Sequence, residues 1–590
     1  MGLGAKNFLG IDFYRSGAYG TFKPEPDAVT PSDWHRTMVI IGTSENGNSC
    51  LDTTLDDEDR VIQGSYKQVS EIMKKGELMD AAYLASQPGS DGTNVLPGPS
   101  KFILLNILPN VKATLSLPST NALASHTLDS TIAGPNGNKT RIKKTLATKK
   151  IEVGDSTGVT TSPVLSKACF DIAYTGDATT AVLTIDATGL TVTLAGDQTD
   201  GSLSLTCPFT QFETVGEILD YINSIQGYVA TLLDNPDFET ANLDHIEATD
   251  AIDVKTIQKV YADLWMEEKF LQATGLIDVT VNALRKPIGD MVGFAFLSGG
   301  ATGVAPVNGI KDAIDFSTRF PAITRNILSS TLSDATYLKQ VCYDMLSPQG
   351  GNETFGGAGS GLTDIFADRL SNSNSLGSYW INYGISNFIA MGADGTQKTF
   401  PGYMLSVIDN AITASGSPRT SPTYKNLNII KATEIFSAED QDEALKNGCI
   451  FLFPKPNNGP WSIQRSITTE KRDNIILNNK SSVVSAMWMT KRLRDGFNER
   501  FIGKSPVDAS ARVEGFTDND IKEYIKAQLQ QFTYEGLLVG SSLLNVAAYS
   551  DTIKIGIDQN SFYIEVEGSV TMTIDFIFYL MNLKTIKGTV

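Results

Sequence analysis

Residues 570–580 read VTMTIDFIFYL, and Val570, Met572, Ile574, Phe576, Phe578 and Leu580 alternate with Thr571, Thr573 and Asp575. A period of two puts one set of side chains on one face of an extended strand. No Pro or Gly interrupts the run. An apolar strand left at a sheet edge recruits other chains through its free N–H and C=O groups, so it must be paired or covered. Two arrangements meet that demand: an internal strand of the chain's own sheet, or strand addition to a neighbouring subunit.

The other end has the same character. Ile11, Phe13, Tyr19 and Phe22 are spaced among Gly10, Gly17 and Gly20, with Pro24 and Pro26 behind them. So few apolar residues cannot make a core, and residues 1–30 are expected to be an extended arm lying on something else.

Between the arms, 590 residues exceed one core, which rarely grows beyond about 250–300 residues. The expected fold class is α+β and multidomain: a mixed α/β core, a β-rich inserted domain and extended terminal strand arms. Residues 31–117 read as the first part of an α/β region. Buried strands are expected at 38–42 and 102–108 and a helix at 69–85, with a solvated acidic turn at 52–59. Residues 118–210 turn rich in Thr, Gly, Ala and Asp, with alternating runs at 182–185 and 190–194 separated by Asp186-Ala187-Thr188-Gly189. They are expected to form the inserted, outward-facing β-rich domain. Residues 211–284 are expected as a helical connecting region, on the spacing of Val215, Ile218, Leu219, Ile222 and Ile225 and on a continued pattern over 255–273. The remaining divisions are 285–425 (middle α/β domain), 426–568 (C-terminal core domain) and 569–590 (C-terminal strand arm). The Gly-rich stretch 350–361 is read as a linker or a subunit-contact loop.

Charge and chemistry exclude several functions. A net charge of −18 opposes wrapping nucleic acid or an anionic membrane. The longest apolar runs fall far short of the ~20 residues a helical span needs, so no membrane insertion is expected. The segment MGLGAKNFLG lacks a basic region followed by an apolar one, and Lys6 breaks the myristoylation pattern. Five scattered cysteines, Cys50, Cys169, Cys207, Cys342 and Cys449, suggest reduced, buried thiols. Cys169 and Cys207 could face each other across one β-unit, but a bridge is not expected. The three histidines, His35, His126 and His245, have no metal-ligand spacing. Ser360 lacks the flanking glycines of a nucleophile elbow, with Ala358 and Leu362 in their places. Gly503-Lys504-Ser505 lacks the leading Gly of a phosphate loop, since Asn498 stands there. No catalytic, cofactor-binding or metal-ligating residue is assigned, no cofactor is expected, and the chain does not read as an enzyme.

Four segments, in order, resemble the contractile-tail sheath proteins of myovirus-type bacteriophages and related injection particles. Ser16-Gly17-Ala18-Tyr19-Gly20-Thr21-Phe22 resembles the family's N-terminal strand, with Ser where Pro is usual. Leu297-Ser298-Gly299-Gly300-Ala301-Thr302-Gly303 resembles the Gly-Gly turn after a core strand. Residues 400–412, 421–425 and 438–448 resemble the middle region and its return to the C-terminal domain. Residues 493–504 (LRDGFNERFIGK), the helix expected at 518–531 and Glu535-Gly536-Leu537-Leu538 resemble the C-terminal domain. The resemblance covers roughly 1–117 and 285–590.

It implies a structural subunit of a virion tail, assembled in the host cytoplasm. Its implied partners are further copies of itself in stacked six-fold rings, a tail tube protein, and baseplate and tail terminator proteins. The implied intersubunit strand exchange falls on Ile11, Phe13, Tyr19, Phe22, Val570, Met572, Ile574, Phe576, Phe578 and Leu580. A tube-facing surface is implied for the C-terminal core domain, where Lys491, Arg492, Arg494, Arg500 and Lys504 make a basic segment in an acidic chain. These are candidate tube or subunit contacts; a solvated helix face is the plainer alternative. Two other readings stay open: a different self-assembling β-rich surface or capsid protein, and an enzyme using the 350–361 loop with Ser360 and Asp364.

Overall fold

A sheet of seven strands organises the larger part of the chain. In chain order these are β1 (Thr37–Gly42), β2 (Ile62–Gly64), β3 (Lys101–Asn106), β4 (Thr324–Ile327), β5 (Phe355–Gly359), β6 (Ile381–Gly384) and β7 (Cys449–Ile450). Their spatial order is β7-β6-β5-β4-β1-β3-β2. All pairings are parallel except that of β2 with β3. The computed structural model describes residues 6–8, 11–13 and 36–570, apart from 91–93, 121–124, 282–283, 347–351, 456–458, 473, 503–515, 541–544 and 559–560.

The apolar runs of β1 (TMVIIG) and β3 (KFILLN) suit strands covered on both faces. The chain passes from β1 to β3 on one side, then crosses to β4 on the other, which makes a doubly wound sheet. The helix expected at 69–85 is two, Tyr66–Met73 and Glu77–Ser86. Gly76 separates them at φ 119°, a conformation that side-chain-bearing residues rarely adopt.

The Gly-rich stretch is the largest correction. Phe355-Gly356-Gly357-Ala358-Gly359 is not a linker but β5, with every residue buried. Its glycines let the helix Gly402–Ser415 come close to the sheet. A methyl at Gly357 would stand 2.2 Å from Asn326 Oδ1 and 2.3 Å from Asn410 Nδ2, and one at Gly384 would stand 2.3 Å from the Gly402 carbonyl.

A buried polar cluster fills this seam. Asn410 donates to Asn326 at 2.7 Å. Asp409 accepts from Asn382 at 2.5 Å, from Ser466 at 2.7 Å and from Lys480 at 2.6 Å. The Asp409 and Lys480 side chains are both 0% exposed. Burial pulls the Lys480 ammonium below its ordinary pKa, against the attraction of Asp409. Arg325 on β4 is equally buried and donates to the Ser317 and Phe320 carbonyls at 3.1 and 2.6 Å, closing the end of helix Gly309–Ser317.

Between β3 and helix Gly309–Ser317 the chain leaves the core and returns. Its outgoing and incoming limbs pair, Val111 with Ala301 and Thr114 with Ser298. Side-chain amides lock the junction: Asn138 exchanges two 2.8 Å bonds with Gly300, and Asn110 accepts from the Gly303 N–H at 3.2 Å. A methyl at Gly303 would stand 2.3 Å from the Pro109 carbonyl. This is the role of the Leu297–Gly303 segment. Just before it, Ala295–Phe296 pairs with Arg141–Ile142.

The excursion holds two cores. The nearer one joins strands Arg141–Thr145 and Ser125–Ser130 and their neighbours around Leu128, Ile142, Ile151, Ile277 and Leu297. Nested inside it, residues 168–262 form two sheets and the helix Val215–Ser224 over a separate core that includes Phe170, Leu183, Val192, Ile218 and Val260. Residues 211–284 therefore contain strands as well as helices. Tyr228–Leu232 and Gln258–Tyr261 flank Ala168–Tyr174 in one sheet. The periodicity at 255–273 spans a strand and the helix Asp263–Thr274. The alternating runs around 186–189 form the hairpin Thr180–Ile185 with Gly189–Ala195, turned by Asp186 accepting from the Thr188 and Gly189 N–H groups at 2.7 and 3.1 Å.

The nested module is tied down at its ends. The Ala262 N–H reaches the Lys167 carbonyl at 2.8 Å, and the Asp244 carboxylate caps helix Asp263–Thr274 through the N–H groups of Asp263 and Leu264 at 2.9 and 3.0 Å.

A second compact unit comprises the described residues of 484–570, with 417–419 and the N-terminal hairpin; residues 426–483, expected with the C-terminal core domain, fall in the larger one. In the smaller unit the long helix Lys480–Arg500, from residue 484 onward, packs on Asp518–Tyr534. Gly496 permits this, since a methyl there would stand 1.7 Å from the Tyr524 hydroxyl. Phe497, Phe501, Phe516 and Tyr524 complete the contact, with ring centroids 5.2–6.0 Å apart. The five cysteines are free and buried, and burial pushes each thiol up to about 12.

Two predictions follow from this packing. Lys480→Met strips Asp409 of its cation and should destabilise the larger unit by about 3–5 kcal/mol in urea titrations of the intact chain. Gly357→Ala should cost about 1–3 kcal/mol by overpacking; two variants as stable as the parent would refute the seam's importance. A further prediction concerns pH. Burial, reinforced by Asp263 and Glu267, lifts the Asp244 carboxyl from 3.8 to about 7, against the helix N–H groups. The folded form then holds this proton more tightly than the unfolded chain does. The stability it contributes is complete below about pH 4 and is lost as pH rises through about 7. Corrected for the intrinsic rise of amide exchange with pH, the protection of residues 168–262 should fall across that window, and Asp244→Asn should flatten the fall.

Candidate functional site

The terminal segments and the basic stretch of the smaller unit are the candidate assembly elements. Lys6–Phe8 and Ile11–Phe13 form an antiparallel hairpin pairing Lys6 with Phe13 and Phe8 with Ile11. Ile11 and Phe13 are thus paired with their own chain, while Tyr19 and Phe22 lie outside the described residues.

At the other end, Lys554–Asp558 and Ser561–Glu565 make a hairpin. The chain then runs between two segments of its own unit. Ser550 N–H donates to the Glu567 carbonyl at 2.9 Å, Ser569 N–H to Ala548 at 2.8 Å, and Val539 N–H to Ser569 at 2.9 Å. Val570 stands opposite the buried Leu538 in an antiparallel bridge. The alternating run therefore begins in a register set by intrachain hydrogen bonds. Met572, Ile574, Phe576, Phe578 and Leu580 lie outside the described residues.

The basic residues have unequal surroundings. Arg492 donates to Glu535 at 2.7 Å and lies over the Phe532 ring at 5.7 Å; the Glu535 side chain is only 2% exposed. Arg492 thus neutralises a buried carboxylate. Gln531 adds a 2.8 Å bond to the same oxygen. Lys491 and Arg494 both pair with Asp495 on their own helix, and Arg500 stacks on Tyr524 with its guanidinium 4.9 Å from the ring centre. Lys504 lies outside the described residues. Lys491 and Arg494 are therefore half-buried groups with partners on their own helix, Arg500 is an exposed one stacked on a neighbouring ring, and Arg492 is spent on a buried carboxylate. Nothing in the run Lys491-Arg492-Leu493-Arg494 distinguished Arg492 from Arg494; the difference rests on Glu535, which sequence reasoning did not single out as its partner.

The same unit exposes apolar side chains: Ile502, Tyr534, Val539 and Val546. Single exposed apolar groups are ordinary, but these accompany a strand run that needs a partner.

The catalytic alternatives find little support in the geometry. Ser360 is 0% exposed, and its hydroxyl donates to the Ile385 carbonyl at 3.4 Å rather than to a side-chain base. Asp364 accepts from the Gly361 N–H at 2.8 Å as a turn residue. His126 is buried against the Lys286 carbonyl at 2.7 Å. His35 and Gly503-Lys504-Ser505 lie outside the described residues, and among those residues no group of three or more His, Cys, Asp or Glu could hold a metal ion. The acidic stretch 52–59 is a turn in which Asp52 accepts from Thr54 and Asp57 pairs with Arg60 and Arg319. No described helix is long and apolar enough to cross a membrane.

No family model and no curated protein matches the chain by sequence. Solved structures match it by fold. The sheath tail protein Lin1278 of Listeria innocua aligns with a TM-score of 0.52 at 11% identity, covering 91% of this chain and 93% of its own. The sheath tail protein DSY3957 of Desulfitobacterium hafniense aligns with a TM-score of 0.51 at 11% identity, covering 94% and 96%. The chain has the α+β, multidomain fold of these proteins over nearly their whole length.

The Arg492–Glu535 pair supplies a prediction. Arg492→Ala leaves a buried carboxylate without its cation and should destabilise the smaller unit by about 3 kcal/mol. Lys491→Ala, Arg494→Ala and Arg500→Ala should each stay within about 1 kcal/mol. Chemical denaturation followed at the aromatic cluster separates the two classes.

Proposed function

We propose that this chain is the sheath subunit of a contractile tail, polymerising as stacked helical rings around a tail tube and contracting to drive the tube through a host envelope during genome delivery. The observation that carries this reading is the end-to-end fold likeness to two sheath tail proteins, β-rich excursion included. The chain's partners in this reading are copies of itself, a tube protein, and baseplate and tail terminator proteins; its place is the virion tail, after assembly in the host cytoplasm. The role is mechanical and needs no cofactor.

The arms supply the joint. Residues beyond Val570 would continue their strand into a neighbouring subunit, where main-chain hydrogen bonds hold while side-chain contacts between rows exchange. The extended lattice would be metastable, held by tube and baseplate, and contraction would bury further intersubunit surface. Each ~1,000 Å² of apolar area so buried corresponds to roughly 25 kcal/mol before association costs, of which only part is usable as work. Arg500, together with the half-buried Lys491 and Arg494, would supply the basic contacts toward tube or neighbour, with Arg492 committed to its own unit.

Negative-stain electron microscopy of the expressed chain should show hollow striated cylinders. A chain ending at Val570 keeps the bonds of Ser569 to Val539 and Ala548, and should fold but stay unpolymerised. Full-length cylinders from that truncation would refute strand exchange through the C-terminal arm. Joint reversal of Lys491, Arg494 and Arg500 to Glu should prevent assembly on tubes while leaving the fold intact; normal tails would rule out the basic contact. Closed shells or flat sheets from the parent chain would move the reading to another kind of surface protein.

A further inference from the structure

Lys480 and Asp409, both 0% exposed, are poorly served as an ion pair. An ammonium has three N–H donors to place. Among the described residues, Asp409 is the hydrogen-bond partner of the Lys480 Nζ, at 2.6 Å. The Phe355 ring lies 5.2 Å from the same nitrogen and accepts no conventional hydrogen bond. The remaining protons of a buried cation are left without acceptors, and a neutral amine, with a lone pair in place of one proton, suits the site better. Burial pulls the Lys480 pKa in that direction.

The other deeply buried pair shows the contrast. Lys144 donates to Glu267 and also to the Ile288 carbonyl, and the second Glu267 oxygen accepts the Ile288 N–H at 2.9 Å. There the backbone shares both charges. At Asp409 the cation has the carboxylate alone.

The carboxylate itself is well provided with neutral donors. Oδ2, the oxygen facing the amine, accepts from Asn382 at 2.5 Å, and Oδ1 accepts from the Ser466 hydroxyl at 2.7 Å. Donors so placed stabilise negative charge on one oxygen while the other departs. The carboxyl carbon lies one C–O bond beyond Oδ2, so the pair starts close to the about 3–3.5 Å separation from which such groups react. With no solvent at either side chain, a bond once formed is shielded from hydrolysis.

We propose that Lys480 and Asp409 condense to an intramolecular amide. The ammonium gives one proton to Oδ2, which leaves a neutral amine and a carboxylic acid. The Nζ lone pair then forms the N–C bond to Cγ, and Oδ1 takes the negative charge under the Ser466 hydroxyl. A second proton passes from the nitrogen to Oδ2, the Cγ–Oδ2 bond breaks, and one water departs. Nothing is oxidised or reduced, and the third proton stays on the amide nitrogen. The bond joins the helix Gly402–Ser415 to the first residue of the helix Lys480–Arg500, across 71 positions of the larger unit. It is independent of the proposed sheath role.

Mass spectrometry of the purified, denatured full-length chain tests this. The chain should weigh one water, about 18 Da, less than its sequence requires. Trypsin should leave residues 399–419 and 473–491 joined in one branched peptide, uncut after Lys480. Lys480→Arg keeps a cation beside Asp409 but removes the amine, and should restore the full sequence mass. If that variant does not fold, the branched peptide of the parent decides alone. A parent of full sequence mass that is cut after Lys480, or a loss of water that maps to other residues, would overturn the bond.

Discussion

Asp409 is the point on which the larger unit turns. It sits on the helix laid across the sheet and accepts from β6 through Asn382, from Ser466 and from Lys480 at the start of the long C-terminal helix. A carboxylate in that position is tolerable only with all of these donors present, because removing charge from water costs several kcal/mol per ion. The glycines of β5 and β6 set the separation at which those bonds form. A wider spacing would leave Asp409 and Asn410 short of their partners, and a closer one is barred by the backbone at Gly384 and Gly402. The cluster therefore specifies one placement of helix on sheet, where a purely apolar seam would tolerate several.

The excursion obeys a different logic. Its limbs leave and return side by side, so the core sees a closed loop however much chain lies between them, and loop closure grows costly only slowly with length. The nested module repeats the device, with its first and last strands joined through Lys167 and Ala262. Each level has its own apolar core, and the joints between levels are polar: asparagine amides and close glycines at one, Asp244 and a helix end at the other.

Much of this was legible in the residues, and the failures have physical causes. Continuous apolar runs marked β1 and β3, and alternation marked the hairpin around Asp186, because those patterns follow directly from one-sided or two-sided burial. The stretch 350–361 misled because glycine usually signals a turn; here it signals contact with Tyr403 and Asn410, residues some fifty positions away. Residues 255–273 misled because a short strand followed at once by a helix blurs both periods. The basic segment was visible as composition, but which of its members is spent internally depended on Glu535, brought near only by the packing of two helices.

The adjacency of Lys167 and Ala262 has a practical side. A module whose two ends are hydrogen-bonded to each other can be cut out and replaced by a short turn, or exchanged for any foreign domain with neighbouring termini, without changing the path of the chain on either side. In a particle built from many copies, that junction would be a socket. In the proposed sheath one graft in the gene would be repeated along the whole length of the tail, a route to dense multivalent display that leaves the central sheet alone.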